Sequence, residues 1–291
     1  MSAETHASPV AAAIPSLAPG GAAVVTGAAS GIGLAAARCF ADLGLHVVMA
    51  DLPGEALDRA VETVRQAATG GARVLSAPCD VADRVAVGHL AQTSFDAFGA
   101  VNVLMNNAAI GVNPGRTWEG GEGWRALMDV NLWGVIHGVQ AFVPRMLEMA
   151  LPGLVINTGS KQGITLPPGN SAYNTSKAGV KAYTELLSHE LRQAGGTLSA
   201  HLLIPGFTYT GMTGRPEKPP AAWTADQVIG FMLTSLARGD FYILCPDNDV
   251  AREVDERRVR WSADDLIRNR PALSRWHPDY QEAFAAFMAE G

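Results

Sequence analysis

Short apolar runs alternate with longer amphipathic segments along the chain from residue 22 onward. The apolar runs predict β-strands at 22–26, 46–50, 72–77, 101–106, 153–158, 198–204 and 241–245. The amphipathic segments predict helices at 31–43, 54–68, 82–98, 122–149, 171–194 and 224–238. This alternation is typical of βαβ units and predicts an α/β fold, a doubly wound parallel sheet of about seven strands with helices on both faces. Right-handed crossovers then place a ligand crevice at the carboxyl ends of the strands.

The pattern changes at both ends of the chain. Residues 1–20 are rich in Ala, Pro and Ser and lack a basic start, which predicts a disordered leader rather than a signal peptide. Residues 247–275 are charged and arginine-rich, and aromatic rings then recur at helical spacing from Trp276 to Phe287. We therefore expect a leader (1–20), a single α/β domain (21–246) and a C-terminal helical extension (247–291). So many rings are costly to leave in water, so the extension should pack on the domain, over the crevice, or on a neighbouring subunit.

Composition excludes several classes of function. Hydrophobic residues make up 48% of the 291 residues, and the net charge of −6 gives no electrostatic basis for binding nucleic acid. The three cysteines, Cys39, Cys79 and Cys245, are far apart in apolar contexts and predict reduced thiols of a cytoplasmic protein. The seven histidines show no ligand spacing, so no metal is expected. No run approaches the ~18 apolar residues of a membrane span, so no membrane partner is expected.

A glycine-rich turn joins the first predicted strand to the first predicted helix. It reads Thr26-Gly-Ala-Ala-Ser-Gly-Ile-Gly33, with glycines spaced Gly-x-x-x-Gly-x-Gly. Glycines there allow positive φ and let backbone N–H groups approach a pyrophosphate at the positive end of a helix. The alternative is a flexible strand-to-helix turn without a ligand.

Tyr173 and Lys177 stand four residues apart in a predicted helix, which puts the phenol and the ammonium on one face. A phenol ordinarily ionises near pH ~10, and a positive charge close by favours the phenolate and lowers that pKa. The pair can therefore build a proton donor and acceptor without histidine. The alternative is an ordinary surface pair, and the upstream glycine-rich turn favours the catalytic interpretation.

Six motifs in order resemble the short-chain dehydrogenase/reductase family, in its compact single-domain branch. They are TGAASGIG at 26–33, NNAA at 106–109, Asn131 in VNLWG, Ser160 in NTGS, YNTSK at 173–177 and PGFTYT at 205–210. The resemblance runs from about Ala22 to Cys245, and the glycine spacing argues against the larger extended branch. It implies a Rossmann-type fold, an NAD(P)-dependent oxidoreductase acting on a CH–OH group, and a homodimer or homotetramer.

The resemblance also implies a catalytic set of Asn131, Ser160, Tyr173 and Lys177. Tyr173 would exchange the proton of the substrate hydroxyl, and Lys177 would lower the pKa of that tyrosine and hold the nicotinamide ribose. Ser160, thirteen residues before Tyr173, would orient the substrate oxygen. Asn131 would kink its helix and order a water that leads to the lysine.

Cofactor binding is expected from residues in four of the motifs and at two strand ends. The set comprises Gly27, Ser30, Gly31, Ile32, Gly33, Asp51, Leu52, Asp80, Val81, Asn107, Ala108, Tyr173, Lys177, Pro205, Gly206, Thr208 and Thr210. In relatives the position of Asp80 contacts the adenine amino group and that of Thr210 the nicotinamide carboxamide. A helix N-cap is an alternative or additional role for Asp80, and Asn106 and Asn107 could be simple turn residues.

The cofactor is expected to be NAD rather than NADP because Asp51 closes the second predicted strand. A carboxylate there can accept hydrogen bonds from both ribose hydroxyls and would repel a 2′-phosphate. Leu52 follows it, and Ser30 occupies a position where relatives that use NADP often carry a basic residue. The alternative is that Asp51 only caps the next helix.

The substrate pocket is expected to be chiefly apolar. Substrate contacts are predicted for Gln162, Ile164, Phe207, Tyr209 and Met212, with Ile110, Val112 and Leu166 nearby. This composition favours a hydrophobic or aromatic alcohol over a sugar or a charged metabolite. The sequence therefore predicts an NAD-dependent oxidoreductase interconverting a secondary alcohol and a ketone. The alternative is a non-catalytic, dinucleotide-sensing regulatory or interaction protein on the same fold.

Overall fold

The computed structural model describes residues 13–214 and 216–289. Its strands are β1 (Ala22–Thr26), β2 (His46–Asp51), β3 (Val74–Pro78), β4 (Val103–Asn106), β5 (Gly153–Thr158), β6 (Leu198–Ile204) and β7 (Tyr242–Leu244). Its helices are α1 (Gly31–Asp42), α2 (Glu55–Ala67), α3 (Arg84–Phe98), α4 (Glu122–Met128), α5 (Gly134–Glu148), α6 (Gln162–Thr165), α7 (Ser171–Ala194), α8 (Ala225–Ala237), α9 (Arg252–Ile267) and α10 (Gln281–Ala289). Predicted and observed bounds differ by at most two residues in the main domain, but the predicted helix 122–149 is divided into α4, a π turn and α5, and α6 was not predicted.

The seven strands form one parallel sheet in the order β3-β2-β1-β4-β5-β6-β7. The predicted doubly wound sheet is confirmed. Helices cover both faces, so the central strands are buried on both sides, as all five residues of β1 are. The strand order reverses between β1 and β4, and a crevice opens there at the carboxyl ends of the strands.

Two apolar layers hold the sheet between its helices. One layer packs α1, α2 and α8 around residues such as Phe40, Val61 and Met232. The other packs α3, α5 and α7 around residues such as Phe95 and Phe142. Both layers surround the strands that end at the crevice, so the loops at those strand ends rest on a close-packed support.

The folded domain begins earlier than the sequence predicts. Ile14 and Leu17 are 6% and 2% exposed and pack into the first apolar layer, on either side of a 3₁₀ turn at Pro15–Leu17. The expectation of a disordered leader is therefore wrong for residues 14–17, because two apolar side chains there have a core to enter. Residues 1–12 of the predicted leader lie outside the described residues.

The C-terminal extension contains a helix in its charged part, where the sequence pattern did not predict one. Residues 252–267 form α9, although the sequence predicted a helix only around the later aromatic residues. Trp261 of α9 is 4% exposed and lies 5.2 and 5.3 Å from the rings of Phe284 and Phe287, measured between centroids. The guanidinium of Arg270 covers the same indole at 3.9 Å. The rings thus bury one another, with a cation over the outer face.

One helical stretch passes the length and composition test for a membrane span, which the sequence reading did not anticipate. It runs from Glu122 to Glu148 through α4, a π turn and α5, and 44% of its most apolar window is buried inside the fold. Core helices of globular domains pass the same test. Packing of Leu127, Val139 and Phe142 in the core accounts for the apolar character of this stretch.

The three cysteines are free thiols, and Cys79 and Cys245 are buried. Burial raises the pKa of the thiols of Cys39, Cys79 and Cys245 to about 12, 11 and 12 respectively. Within residues 13–214 and 216–289, no group of three or more His, Cys, Asp or Glu side chains is arranged to hold a metal ion.

Candidate active site

A cavity of about 980 Å³ opens at the carboxyl ends of the strands, where the strand order reverses. Most of the residues singled out in the sequence line it: Gly27, Ser30, Gly31, Ile32, Asp51, Leu52, Asp80, Val81, Asn107, Ala108, Ser160, Gln162, Tyr173, Lys177, Pro205, Gly206, Phe207, Thr208, Thr210 and Met212. The fold thus brings together motifs that are up to 185 positions apart in the chain, from Gly27 to Met212.

The glycine-rich turn forms the cradle at one end of the cavity. Gly27 and Gly31 have φ of +66° and +54°, values that other residues rarely adopt. Gly33 lies behind the lining, where an added Cβ would stand 2.1 Å from the carbonyl oxygen of Gly27. The first turn of α1 has no side-chain cap, and the residues at its start line the cavity. Its exposed N–H groups and positive dipole end fit the pyrophosphate of a dinucleotide.

Asn107 fixes the floor of this cradle. Its amide nitrogen donates to the carbonyl oxygen of Thr26 at 3.2 Å, and its amide oxygen accepts from the hydroxyl of Thr158 at 3.3 Å. The hydroxyl oxygen of Thr26 in turn accepts from the backbone N–H groups of Asn107 and Ala108. Asn107 therefore joins the ends of three adjacent strands, which is more than the turn role considered from the sequence.

Asp51 lies at the end of β2 with both carboxylate oxygens held by the backbone. Oδ2 accepts from the N–H of Ala29 at 2.8 Å, and Oδ1 accepts from the N–H of Leu52 at 2.8 Å. The next helix begins after Gly54 without a side-chain cap, so the alternative that Asp51 caps it is wrong. The carboxylate braces the glycine-rich turn and faces the cavity.

Asp80 also lines the cavity, but it does not cap helix α3. Its Oδ1 accepts from the N–H of Ala82 at 2.9 Å and closes a local turn. The cap is Asp83, whose Oδ1 accepts from the N–H of Val85 at 2.8 Å. The helix thus begins at Arg84, directly after Asp83, and the cap role considered for Asp80 is wrong.

Helix α7 carries the Tyr173 and Lys177 side chains into the middle of the cavity wall. Asn170 caps it by accepting from the N–H of Tyr173 at 3.1 Å. The ammonium of Lys177 is 5.8 Å from the centroid of the Tyr173 ring and donates to the carbonyl oxygen of Thr158 at 2.8 Å. The hydroxyl of Ser160 lies close enough to the phenol of Tyr173 to lower the pKa of that phenol. Ser160, Tyr173 and Lys177 therefore meet at one place.

The electrostatics of this group differ from the sequence expectation. Burial raises the pKa of the Tyr173 phenol, and the nearby hydroxyl of Ser160 is the influence that lowers it. Burial also lowers the pKa of the Lys177 ammonium to about 8 from an ordinary 10.5. Lys177 was expected to lower the pKa of Tyr173, but desolvation of both groups is the dominant effect in the structure. The phenol therefore holds its proton at neutral pH.

Asn131 is fully buried and lies outside the cavity lining. It sits in a π turn, Asp129–Trp133, so the expected irregularity of this helix is present. Its side-chain amide donates to the carbonyl oxygen of Ile110 at 3.0 Å and accepts from the N–H of Ile110 at 2.8 Å. Asn131 thus fixes the loop after β4 at the cavity wall, and its water-ordering role stays a prediction.

Beyond the glycine-rich turn and the catalytic candidates, the cavity is lined by apolar side chains together with Gln162, Asn170 and Lys161. Ile110, Val112, Phe207 and Met212 line it as expected. A Cβ added at Gly111 would lie 3.2 Å from Cγ of Met212, so these two loops touch across the mouth.

Two predicted substrate contacts do not line the cavity. Ile164 packs instead against the apolar cluster that contains Val180 and Leu202. The hydroxyl of Tyr209 donates to the carbonyl oxygen of Pro216 at 3.0 Å, within its own loop. Leu166 is also absent from the lining. The direction of a side chain in a short loop cannot be predicted from the sequence pattern, because the loop has neither the two-residue period of a strand nor the 3.6-residue period of a helix.

Asn170 and Lys161 are site residues that the sequence reasoning missed. The Nδ2 of Asn170 donates to the carbonyl oxygen of Val112 at 3.0 Å, so one side chain caps α7 and holds the loop across the mouth. An asparagine just before a helix is a cap signal that was available. Lys161, next to Ser160, gave no signal of its own.

Comparison with known proteins agrees with this geometry. Residues 21–220 match a protein-family model described as short chain dehydrogenase. A 1-deoxy-11-beta-hydroxypentalenate dehydrogenase from Streptomyces exfoliatus is 36% identical over 255 residues, covering 85% of this chain and 89% of that protein. The crystal structure of a short chain dehydrogenase/reductase from Burkholderia phymatum in complex with NAD is 34% identical, with a TM-score of 0.78, covering 87% of this chain and 96% of that one. That of a metagenomic short-chain oxidoreductase in complex with NADP is 28% identical, with a TM-score of 0.65, covering 79% and 98%.

Proposed function

Because the chain belongs to the short-chain dehydrogenase/reductase family of oxidoreductases, we propose that it is an NAD-dependent enzyme interconverting a secondary alcohol and a ketone. The observation that carries this proposal is the meeting of Ser160, Tyr173 and Lys177 on the wall of a cavity that continues to the uncapped start of α1. A regulatory protein that only senses a dinucleotide would need the cradle but not this proton-transferring group.

The chain's own residues perform the proton chemistry in this mechanism. The bound nicotinamide supplies the hydride acceptor or donor. Tyr173 gives its phenolic proton to the carbonyl oxygen of the ketone, or takes the proton from the alcohol in the reverse direction. The hydroxyl of Ser160, close to the phenol, would orient the same substrate oxygen. Because burial raises the pKa of Tyr173, the protonated phenol suits ketone reduction at neutral pH, and alcohol oxidation gains from higher pH.

The preference for NAD is supported by the charges around Asp51. Its carboxylate is fixed by two backbone N–H groups and faces the cavity beside the glycine-rich turn. The cationic side chains of the described lining are Lys161 and Lys177, and both lie near the catalytic group. A 2′-phosphate would therefore meet a carboxylate and no compensating cation at this end. The similar enzyme from Burkholderia phymatum was solved in complex with NAD.

The substrate class is proposed from the lining of the other end. Ile110, Val112, Phe207 and Met212 present apolar surface, and Gln162 and Asn170 offer hydrogen bonds. Of the two cations in the described lining, Lys161 is paired with two carboxylates. We therefore expect a neutral apolar or aromatic alcohol. The similar Streptomyces exfoliatus enzyme is named as a dehydrogenase of 1-deoxy-11-beta-hydroxypentalenate, a hydroxylated carboxylate, so hydroxy acids belong in the substrate panel beside neutral alcohols.

The assembly and location of the enzyme belong to the same proposal. We expect a homodimer or homotetramer in the cytoplasm, because the chain belongs to a family of oligomeric enzymes and its three thiols are free. Light scattering on the purified full-length chain measures the oligomeric state directly.

The test is a turnover assay at the NADH absorbance band with apolar secondary alcohols and their ketones, in both directions and with both cofactors. Tyr173→Phe should lower turnover by roughly 10² to 10⁴ while NADH binding, followed by fluorescence, is retained. Tyr183→Phe is the matched control, since Tyr183 lies on the same helix outside the cavity lining. Near-native turnover of Tyr173→Phe would refute the mechanism, and turnover with neither cofactor on any substrate would refute the function.

A further inference from the structure

A buried ion cluster joins the C-terminal extension to the wall of the cavity. The ammonium of Lys161 lies 2.5 Å from Oδ2 of Asp255 in α9 and 3.2 Å from Oδ2 of Asp247, which follows β7. The side chains of Asp247 and Asp255 are 6% and 7% exposed, and that of Lys161 is 18% exposed. Arg258 approaches the other oxygen of Asp255 at 3.6 Å. An aspartate of the extension is therefore a direct partner of a cavity residue.

The same cluster reaches the loop that follows β6. Oδ2 of Asp247 accepts from the N–H of Phe207 at 3.2 Å. A Cβ added at Gly206 would lie 2.9 Å from Nζ of Lys161 and 2.8 Å from Oδ2 of Asp247, so the ion pair lies directly behind this loop. Asp247 is itself held by the N–H of Val250 at 2.9 Å. Asp247 thus has a fixed position of its own, whereas Lys161 depends on its two acids.

Lys161 is peptide-bonded to Ser160, so the position of the lysine side chain constrains the serine. The segment after Ser160 turns at once into the short helix α6, which packs against α9. Replacing Asp255 leaves Lys161 with the carboxylate of Asp247 alone. It also takes the nearby carboxylate away from Arg258, so the charges of this cluster must rearrange. Such rearrangement would displace the segment that carries Ser160, and displacement on the order of 1 Å can cost about 10²-fold in rate.

We propose that Asp255 is a positioning residue of the active site, which acts through Lys161 to hold Ser160 and the loop Pro205–Phe207 in their reactive arrangement. The C-terminal extension then holds active-site residues in position, in addition to any role in covering the cavity or contacting another subunit. The effect on the reaction rests on the proposed function, but the effect on the two loops does not.

The test compares Asp255→Asn with Asp265→Asn in the full-length chain. Asp265 is the matched control, because it is a second carboxylate of α9 with limited exposure, 14%, paired with Arg270 at 2.9 Å and outside the cavity lining. Asp255→Asn should lower kcat by about tenfold to a hundredfold without changing the KM for NAD. Asp265→Asn should lower the melting temperature but leave kcat near its wild-type value.

Hydrogen–deuterium exchange gives a readout that needs no substrate. Asp255→Asn should speed exchange in peptides covering 159–166 and 205–209, and Asp265→Asn should not. Unchanged exchange in both segments, or an equal change in the control, would overturn the proposal. If exchange responds but no variant or wild-type protein turns over any alcohol, the positioning role stands and the proposed function fails.

A double variant tests whether Asp255 acts through Lys161. If it does, Lys161→Met combined with Asp255→Asn should lose no more kcat than Lys161→Met alone. Losses that multiply would overturn the proposal. If circular dichroism shows that Asp255→Asn does not fold, hydrogen–deuterium exchange is measured on Lys161→Met instead, with Asp265→Asn as the control. Unchanged exchange in both segments would again overturn the proposal.

Discussion

The buried ammonium of Lys177, for which we propose a catalytic role, should lower the stability of the folded protein, and replacing the lysine should reveal that cost. Lys177 is 2% exposed, and its described hydrogen bond goes to the carbonyl oxygen of Thr158. Burial lowers its pKa to about 8 from an ordinary 10.5. Lys177→Met keeps the length of the side chain and removes the charge. We expect an inactive enzyme that is at least as stable as the wild type at pH 7.

The expected magnitude follows from the shift in the pKa. A decrease from 10.5 to about 8 corresponds to about 3 kcal/mol of unfolding free energy at about 1.4 kcal/mol per unit. The variant also leaves the carbonyl oxygen of Thr158 without this donor, at a cost of about 1–3 kcal/mol. The net gain at pH 7 is therefore between about 0 and 2 kcal/mol.

The pH dependence separates the charge from the packing. Between about pH 8 and 10.5 an unfolded lysine still binds its proton while the folded one has lost it, so wild-type stability rises with pH across this window. This contribution of Lys177 to wild-type stability is lost as the pH falls from 10.5 towards 8. The variant lacks this group, so its advantage should shrink by most of about 3 kcal/mol between pH 7 and pH 10. The three thiols titrate in both proteins, and their contribution cancels in the difference.

Urea unfolding of both proteins at several pH values measures this difference. Lys181→Met is the matched control, because Lys181 lies one turn further along α7, is 36% exposed and pairs with Glu185. Its stability difference from the wild type should be nearly flat across the window. A Lys177→Met protein that is clearly less stable at pH 7, by an amount independent of pH, would refute the reasoning.

Two further predictions concern the ends of the cavity. Asp51→Asn with Leu52→Arg should lower the ratio of kcat/KM for NAD to that for NADP by about 10² or more, because a repulsive charge is removed and an attractive one added. A wild-type enzyme whose kcat/KM for NADPH already equals that for NADH would contradict the role given to Asp51. Asn170→Ala should cost about 1 kcal/mol of stability through the lost cap, and Asn170→Asp should keep the cap. Both should raise the KM for substrate, since both lose the bond to Val112; an unchanged KM in Asn170→Asp would contradict the role of that bond.

Local patterns were enough to predict the sheet, the glycine-rich turn and the Tyr173–Lys177 pair, whereas most of the other lining residues were implied by the family resemblance. The strands and the glycine-rich turn have short-range signals, and a parallel sheet brings the ends of its strands to one edge. The spacing of Tyr173 and Lys177 places both on one face of α7 without further information. These features depend on neighbours in sequence, which is why they could be predicted.

Other features depend on partners that are distant in sequence. The direction of the Tyr173 pKa shift is set by burial, which a four-residue spacing does not contain. The pairing of Lys161 with Asp255 joins positions 94 residues apart, and each looks like an ordinary surface charge in the sequence. Ile164 and Tyr209 lie in short loops whose side-chain directions are decided by the surrounding packing.

The three cysteines can be used to measure how readily different regions of the protein unfold. Cys39 lies in α1, Cys79 follows β3 at the cavity, and Cys245 follows β7 near the ion cluster, so each reports on a different region. Alkylating reagents attack the thiolate, and burial keeps all three as thiols at neutral pH. Labelling therefore waits for local or global unfolding to release each sulfur. Timed alkylation followed by mass spectrometry ranks the stability of these three regions without any engineered probe.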